Sequence, residues 1–253
     1  MAKRTSGAFA EAVEYFQQAI ELDPDFALAY VSLAESYLLQ TFYSGLPQDE
    51  MFERAGALID KAFELDERSA AAHAVLGLFL DRRNQVDQAE VAFRRAIELN
   101  PNYATAYFRY GALLLVSRRP GDAVPLFEQA VKLDPLSTII RMEFATALYN
   151  VGRTDEALAE LDKMIQIDPT FSSAYRSKGA LHATVLGRLD LAILWYRRAI
   201  SLDPGGPSVY AYVGEKYLSL CDENEAQVWI DRAIQIAPDG AWPNEAKYYL
   251  HLF

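Results

Sequence analysis

Apolar and polar residues along this chain recur with the 3.6-residue period of amphipathic helices, and the helices come in pairs. From Ala70 to Tyr103 the pattern sets Leu76, Gly77 and Leu80 in one helix, Ala89, Phe93 and Ala96 in a second, and Pro101 after it. Shifted by 34 residues, the template fits again through Gly111, Ala123, Phe127, Ala130 and Pro135. With Ala70 as position 1, position 20 is Ala12, Ala55, Ala89, Ala123, Ala157, Ala192 and Ala226. Position 8 is Ala34, Gly77, Gly111, Ala145, Gly179 and Gly214, and position 27 is alanine except at Met164. Small residues in fixed columns mark where two helices cross closely, since larger side chains there would push the backbones apart. Position 24 supplies large apolar residues beside the crossing, among them Phe16, Ile59, Phe93, Phe127, Leu161, Tyr196 and Ile230. A proline follows most second helices and ends them, Glu67 replacing it once.

The register divides the chain into one array. Residues 8–26 form the second helix of a partial repeat, and 27–69 an extended repeat. Regular repeats occupy 70–103, 104–137, 138–171, 172–206 and 207–240, and 241–253 is a half repeat or capping helix. The extended repeat is nine residues too long, with the excess around Leu38 to Asp49. There Phe42-Tyr43-Ser44-Gly45-Leu46-Pro47 reads as a loop before a lengthened second helix near Gln48. Its aromatics either reach over a groove as a flap or pack on a neighbouring helix. One extra residue between Gly179 and Ala192 lengthens the turn around Leu186-Gly187-Arg188. At the ends, Phe9, Val13, Phe16 and Ile20, and then Tyr248, Tyr249, Leu250, Leu252 and Phe253, leave apolar helix faces without partners of their own. Such faces imply continuation into a longer polypeptide or self-association, a homo-oligomer through the terminal helices.

The columns Leu76-Gly77, Ala89, Phe93, Ala96 and Pro101 closely resemble the tetratricopeptide repeat, over nearly the whole chain. The resemblance implies an all-α, right-handed superhelical solenoid of antiparallel helix pairs, with first helices lining a concave groove and second helices outside. A closer resemblance lies in Lys3-Arg4-Thr5, the run from Ala12 to Ile20, the extended second repeat, and the run from Glu98 to Ala106. These segments are similar to the repeat region of bacterial signalling proteins in which the repeats follow an adenylate cyclase, a Ser/Thr kinase or a winged-helix transcription activator. It implies a sensory or docking half, and none of those effector motifs occurs in the chain.

Charge and chemistry narrow the function. A formal charge of −11, from 35 acidic against 24 basic residues, disfavours binding to nucleic acid or to an anionic membrane surface. A lone Cys221, no apolar leader and no run of membrane-spanning length fit a cytoplasmic, soluble polypeptide. No phosphate loop, His-Glu-x-x-His, Cys-x-x-Cys or nucleophile elbow is present, so the expectation is no enzyme activity, no cofactor and no metal. His73 and His182 fall on positions of helix packing, and Asp155-Glu156 and Asp222-Glu223 precede second helices, where negative charge favours the N-terminus.

What remains is a binding surface for a protein or peptide. Positions 2, 5, 9, 12 and 13 of each first helix share one stripe, which the resemblance places in the groove. The candidate contacts are Val31, Glu35, Ala74, Leu78, Arg82, Phe108, Ala112, Leu115, Met142, Thr146, Tyr149, Arg176, Ala211 and Glu215. The middle of this set is apolar, aromatic and Met-containing, suited to burying an apolar segment. Family members that clamp the acidic tail of heat-shock chaperones carry Lys at position 5 and Asn at positions 6 and 9. Position 5 here is Val31, Ala74, Phe108, Met142, Arg176 and Ala211, so that clamp is absent. Trp195 and Trp229, both at position 23, are a second candidate on the outer face, either as packing or as interface. The functional expectation is a non-catalytic interaction module, with regulation of an attached output domain and self-assembly as alternatives.

Overall fold

The computed structural model describes residues 6–40 and 48–238. Within them lie thirteen helices: α1 (Ser6–Leu22), α2 (Ala27–Gln40), α3 (Gln48–Leu65), α4 (Ala70–Arg82), α5 (Val86–Leu99), α6 (Ala104–Val116) and α7 (Pro120–Leu133), then α8 (Thr138–Asn150), α9 (Thr154–Ile167), α10 (Ser172–Thr184), α11 (Leu189–Leu202), α12 (Pro207–Ser219) and α13 (Glu223–Ile236). The chain divides at Pro135 into two compact units, α1–α7 and α8–α13. The expected loop over Phe42–Pro47 and the half repeat 241–253 lie outside the described residues.

Several helix starts and stops have a local cause. Ser69 and Ser137 accept hydrogen bonds from Ala72 N and Ile140 N, and Asp222 accepts one from Glu225 N, satisfying amides that a helix N-terminus leaves open. Pro120 and Pro207 begin α7 and α12, where a missing N–H costs nothing. The bend after five of the second helices is an Asx turn: Asp23, Asp66, Asn100, Asp168 and Asp203 accept from the amide two residues on. That explains why Glu67 can stand in for proline, since Asp66 still closes the turn. Within pairs the tight turns need a left-handed residue, supplied by Asn84, Arg118, Gly152, Gly187 and Cys221, at φ between 58° and 80°. Gly187 lies in the turn that carries the extra residue, and α3 has 18 residues against 14 in α5.

The small columns are the core. Position-20 alanines from Ala55 to Ala226 are fully buried, as are Ala62, Ala96, Ala130, Met164 and Ala233 at position 27. A methyl group at Gly77 would sit 2.6 Å from the Phe93 ring, and at Gly179 2.7 Å from the Tyr196 ring. The crossing is thus tighter than a methyl allows wherever position 24 is aromatic. The apolar face of α1, through Val13, Phe16 and Ile20, packs on the cluster that holds Leu33, Tyr37 and Ala55.

Candidate functional site

The second unit holds an apolar recess between its first helices. On α8, Met142, Ala145, Thr146 and Tyr149 lie one turn apart on one face, and on α10 Ser177, Ala180, Leu181 and Thr184 do the same. Leu161 of α9 closes the floor, and the recess measures about 220 Å³. Its hydroxyls are used internally: Thr146 Oγ1 donates to Met142 O at 2.9 Å and Thr184 Oγ1 to Ala180 O at 2.8 Å. With those donors spent on the preceding turn, the threonines offer a ligand their methyl groups and acceptor oxygens but no O–H donor. Ser177 Oγ approaches Met142 Sδ at 3.6 Å, and Tyr149, 40% exposed, stands at the rim. Of the sequence candidates, Met142, Thr146 and Tyr149 are therefore brought together. Ser177, at position 6, lay outside the stripe read from the sequence.

Other candidates fall elsewhere. Arg176 lines a separate small recess with Ser173 and Ser208, and Glu215 is exposed and paired with Lys216 at 2.8 Å. Val31, Ala74, Leu78 and Ala211, expected as groove contacts, are all buried. Successive first helices approach too closely to leave position 5 open where it is small: Ala74 packs into a cluster with Ala96 and Ala106. Phe108 is half-buried with its ring 6.3 Å from Phe127, and Ala112 and Leu115 are half-buried beside it in sequence.

The first unit carries a charged crossing that the sequence reading missed. Arg109 of α6 makes an ion pair through Nη2 with Glu35 of α2, and its side chain is 9% exposed against 33% for Glu35. Its Nη1 is buried and finds no hydrogen-bond acceptor among the described residues. Arg82 of α4 lies near enough to feel the Arg109 charge, and burial above all lowers its pKa. Burial pushes the neighbouring Asp81 carboxyl above its usual range. The missed signal was Arg109 at position 6, one residue outside the stripe.

Trp195 packs within its own repeat, and Trp229 also reaches the preceding one, with Arg197 over its ring at 5.7 Å. Trp195 lies on Tyr175 at 6.1 Å and stacks on His182, with Lys178 Nζ 4.1 Å from its ring centre. Trp229 lies 6.0 Å from Tyr210, and its Nε1 donates to Glu225 at 3.3 Å. These contacts are packing ones. Among the described residues no group of three or more His, Cys, Asp or Glu is placed to hold a metal ion, and no helix is long and apolar enough to cross a membrane.

Four repeat models match the sequence: three described as tetratricopeptide repeat over residues 79–138, 114–181 and 186–205, and one described as TPR repeat over residues 2–40. The chain belongs to the tetratricopeptide-repeat family. Solved tetratricopeptide-repeat structures share its fold at low identity. PilF of Pseudomonas aeruginosa matches at a TM-score of 0.70 with 18% identity, over 88% of this chain and 97% of that one. PilW, a type IV pilus biogenesis factor, matches at 0.72 with 18% identity, over 87% and 97%. A chain of the APC/C hetero-tetramer Cut9–Hcn1 matches at 0.72 with 14% identity, over 98% of this chain and 47% of that one. No curated protein matches the sequence.

Proposed function

We propose that this tetratricopeptide-repeat chain is a non-catalytic module that binds a protein segment by seating an apolar side chain between α8 and α10. The observation that carries the reading is the recess of about 220 Å³ lined by Met142, Thr146, Tyr149, Ala180 and Thr184. It is smaller than the roughly 300–1,000 Å³ of typical small-molecule sites and suits one side chain of a partner. Met142 adds a flexible, polarisable wall that adapts to irregular shapes. The family context supports a protein partner, and one chain of the same fold belongs to the Cut9–Hcn1 hetero-tetramer. The resemblance of Ala12–Ile20 and Glu98–Ala106 to repeat regions of bacterial signalling proteins supports a regulatory setting in the cytoplasm.

The test is a pull-down comparing wild type with Met142→Glu and Thr146→Glu. Either substitution places an unpaired carboxylate in an apolar recess and should weaken partner capture by about tenfold or more, since burying a charge without a partner is costly. Circular dichroism checks that the fold persists. If a folded variant keeps every partner at wild-type yield, the reading fails.

A further inference from the structure

The ion pair that joins α2 to α6 in the first unit has an imbalance of hydrogen-bonding groups. Arg109 is more than nine-tenths buried, yet among the described residues only Nη2 meets a carboxylate, while Nη1 is buried without an acceptor. A guanidinium presents its donors as a planar fork that a carboxylate can fill at two points. Glu35 fills one. What the site lacks is an acceptor, and a second cation, Arg82, lies nearby. Burial pushes the carboxyl of Asp81, which neighbours Arg82, above its usual range. The two partners also differ in access: Arg109 is enclosed, whereas Glu35 is a third exposed and sits at the open end.

We propose that the Glu35–Arg109 pair is a latch across the first helices of this unit, opened when a carboxylate of a bound protein segment takes the place of Glu35 on Arg109. The incoming group enters from the Glu35 side, accepts from both arms of the fork, and leaves Glu35 to water. An exposed carboxylate is well solvated once released, so the exchange trades a one-point contact for a two-point one. With Glu35 swung out, α2 and α6 lose the side-chain bridge that joins them. The arrangement differs from a clamp built on position-5 lysines, because position 5 here is Val31, Ala74 and Phe108. The cation is at position 6, and its resting partner belongs to the same chain.

This inference rests on the reading of the first-helix surfaces as partner-binding, and its test avoids the α8–α10 recess. Two capped probes separate the carboxylate sources. One is an octapeptide of Gly and Ser with two internal Glu and a C-terminal amide; the other has no acidic side chain and a free C-terminal carboxylate. Binding is followed by NMR titration at low salt, where charge contacts are least screened. Glu35→Ala should bind one of the probes about tenfold tighter than wild type, since the competitor is gone. Arg109→Gln should bind neither, in the wild-type or the Glu35→Ala background. Should Glu35→Ala fail to fold, Glu35→Gln, which keeps one neutral acceptor, should show a smaller gain in the same direction. The latch is overturned if removing Glu35 leaves both affinities unchanged, or if Arg109→Gln still binds. Because Met142 plays no part in this assay, failure at the recess and failure of the latch are separately visible.

Discussion

At the scale of single residues, the fold rests on a matched choice at positions 8 and 24. Gly77 faces Phe93, Gly111 faces Phe127 and Gly179 faces Tyr196, whereas Ala34 and Ala145 occur in pairs whose position 24 is Ile59 or Leu161. Gly214 departs from this: an added methyl would lie 2.6 Å from Ile230 Cγ1 and 3.2 Å from the Ala226 carbonyl, so the crossing is as tight there although position 24 is not aromatic. Gly77→Ala should therefore destabilise by about 1–3 kcal/mol through overpacking, even though alanine gains about 1 kcal/mol of helix propensity over glycine. Paired with Phe93→Leu, the double variant should lose less than the sum of the singles, measured as a double-mutant cycle in urea. Glu90 gives a second residue-scale prediction. Burial alone would push its carboxyl up, but hydrogen bonds from Tyr110 and Arg119, with the charges of Arg119 and Arg94, outweigh it and hold the group below its usual range. A lowered carboxyl favours the folded state above the unfolded pKa of about 4.3, and that stability is lost as pH falls through the native value. Glu90→Gln should cost about 1–3 kcal/mol at pH 7, and thermal melts should show the gap to wild type closing below about pH 4.

At the scale of elements, much was legible and some was not. The helix pairs could be read because alanine columns and proline stops recur with the period of the fold. The start of α3 at Gln48 could be read because Pro47 precedes it. The turns inside the pairs were less visible. A left-handed residue is required there, yet only Gly152 and Gly187 announce it, while Asn84, Arg118 and Cys221 adopt φ near 59° against their own preference. Asparagine tolerates this region best among non-glycine residues. Arg118→Gly should thus stabilise the protein by about 0.5–1 kcal/mol, and Asn84→Gly by less, read from denaturant midpoints at constant m. The tyrosines at position 4 were equally silent in sequence: Tyr30, Tyr175 and Tyr210 each donate to the carbonyl of the proline six residues earlier, tying a first helix to the turn before it.

At the scale of the whole molecule, the candidate site shows where sequence reasoning stops. A stripe of positions identifies a helix face, but how much of that face remains open depends on how near the next helix comes. Ala74 and Leu78 were on the right face and are covered; Met142, Thr146 and Tyr149 were on the same stripe and remain open. Arg109 was missed because position 6 borders the stripe, and a long side chain crosses a border that a periodicity count treats as fixed. The same nearest-neighbour geometry that covers or opens a face also governs how damage spreads. Helices in this family contact their pair and the adjoining repeats, here α6 with α7, α5 and α4, so stability is a sum of repeat and neighbour terms. Ala123, fully buried at the α6–α7 crossing, has no room for a larger side chain. Ala123→Leu should cost about 1–3 kcal/mol by overpacking, and hydrogen exchange should localise the loss. Amides of α6 and α7 should exchange faster, those of α4 and α5 less so, and those of α1–α3 at nearly the wild-type rate. Uniform acceleration from α1 to α7 would mean that the first unit opens as one cooperative block, and the nearest-neighbour account would be wrong for it.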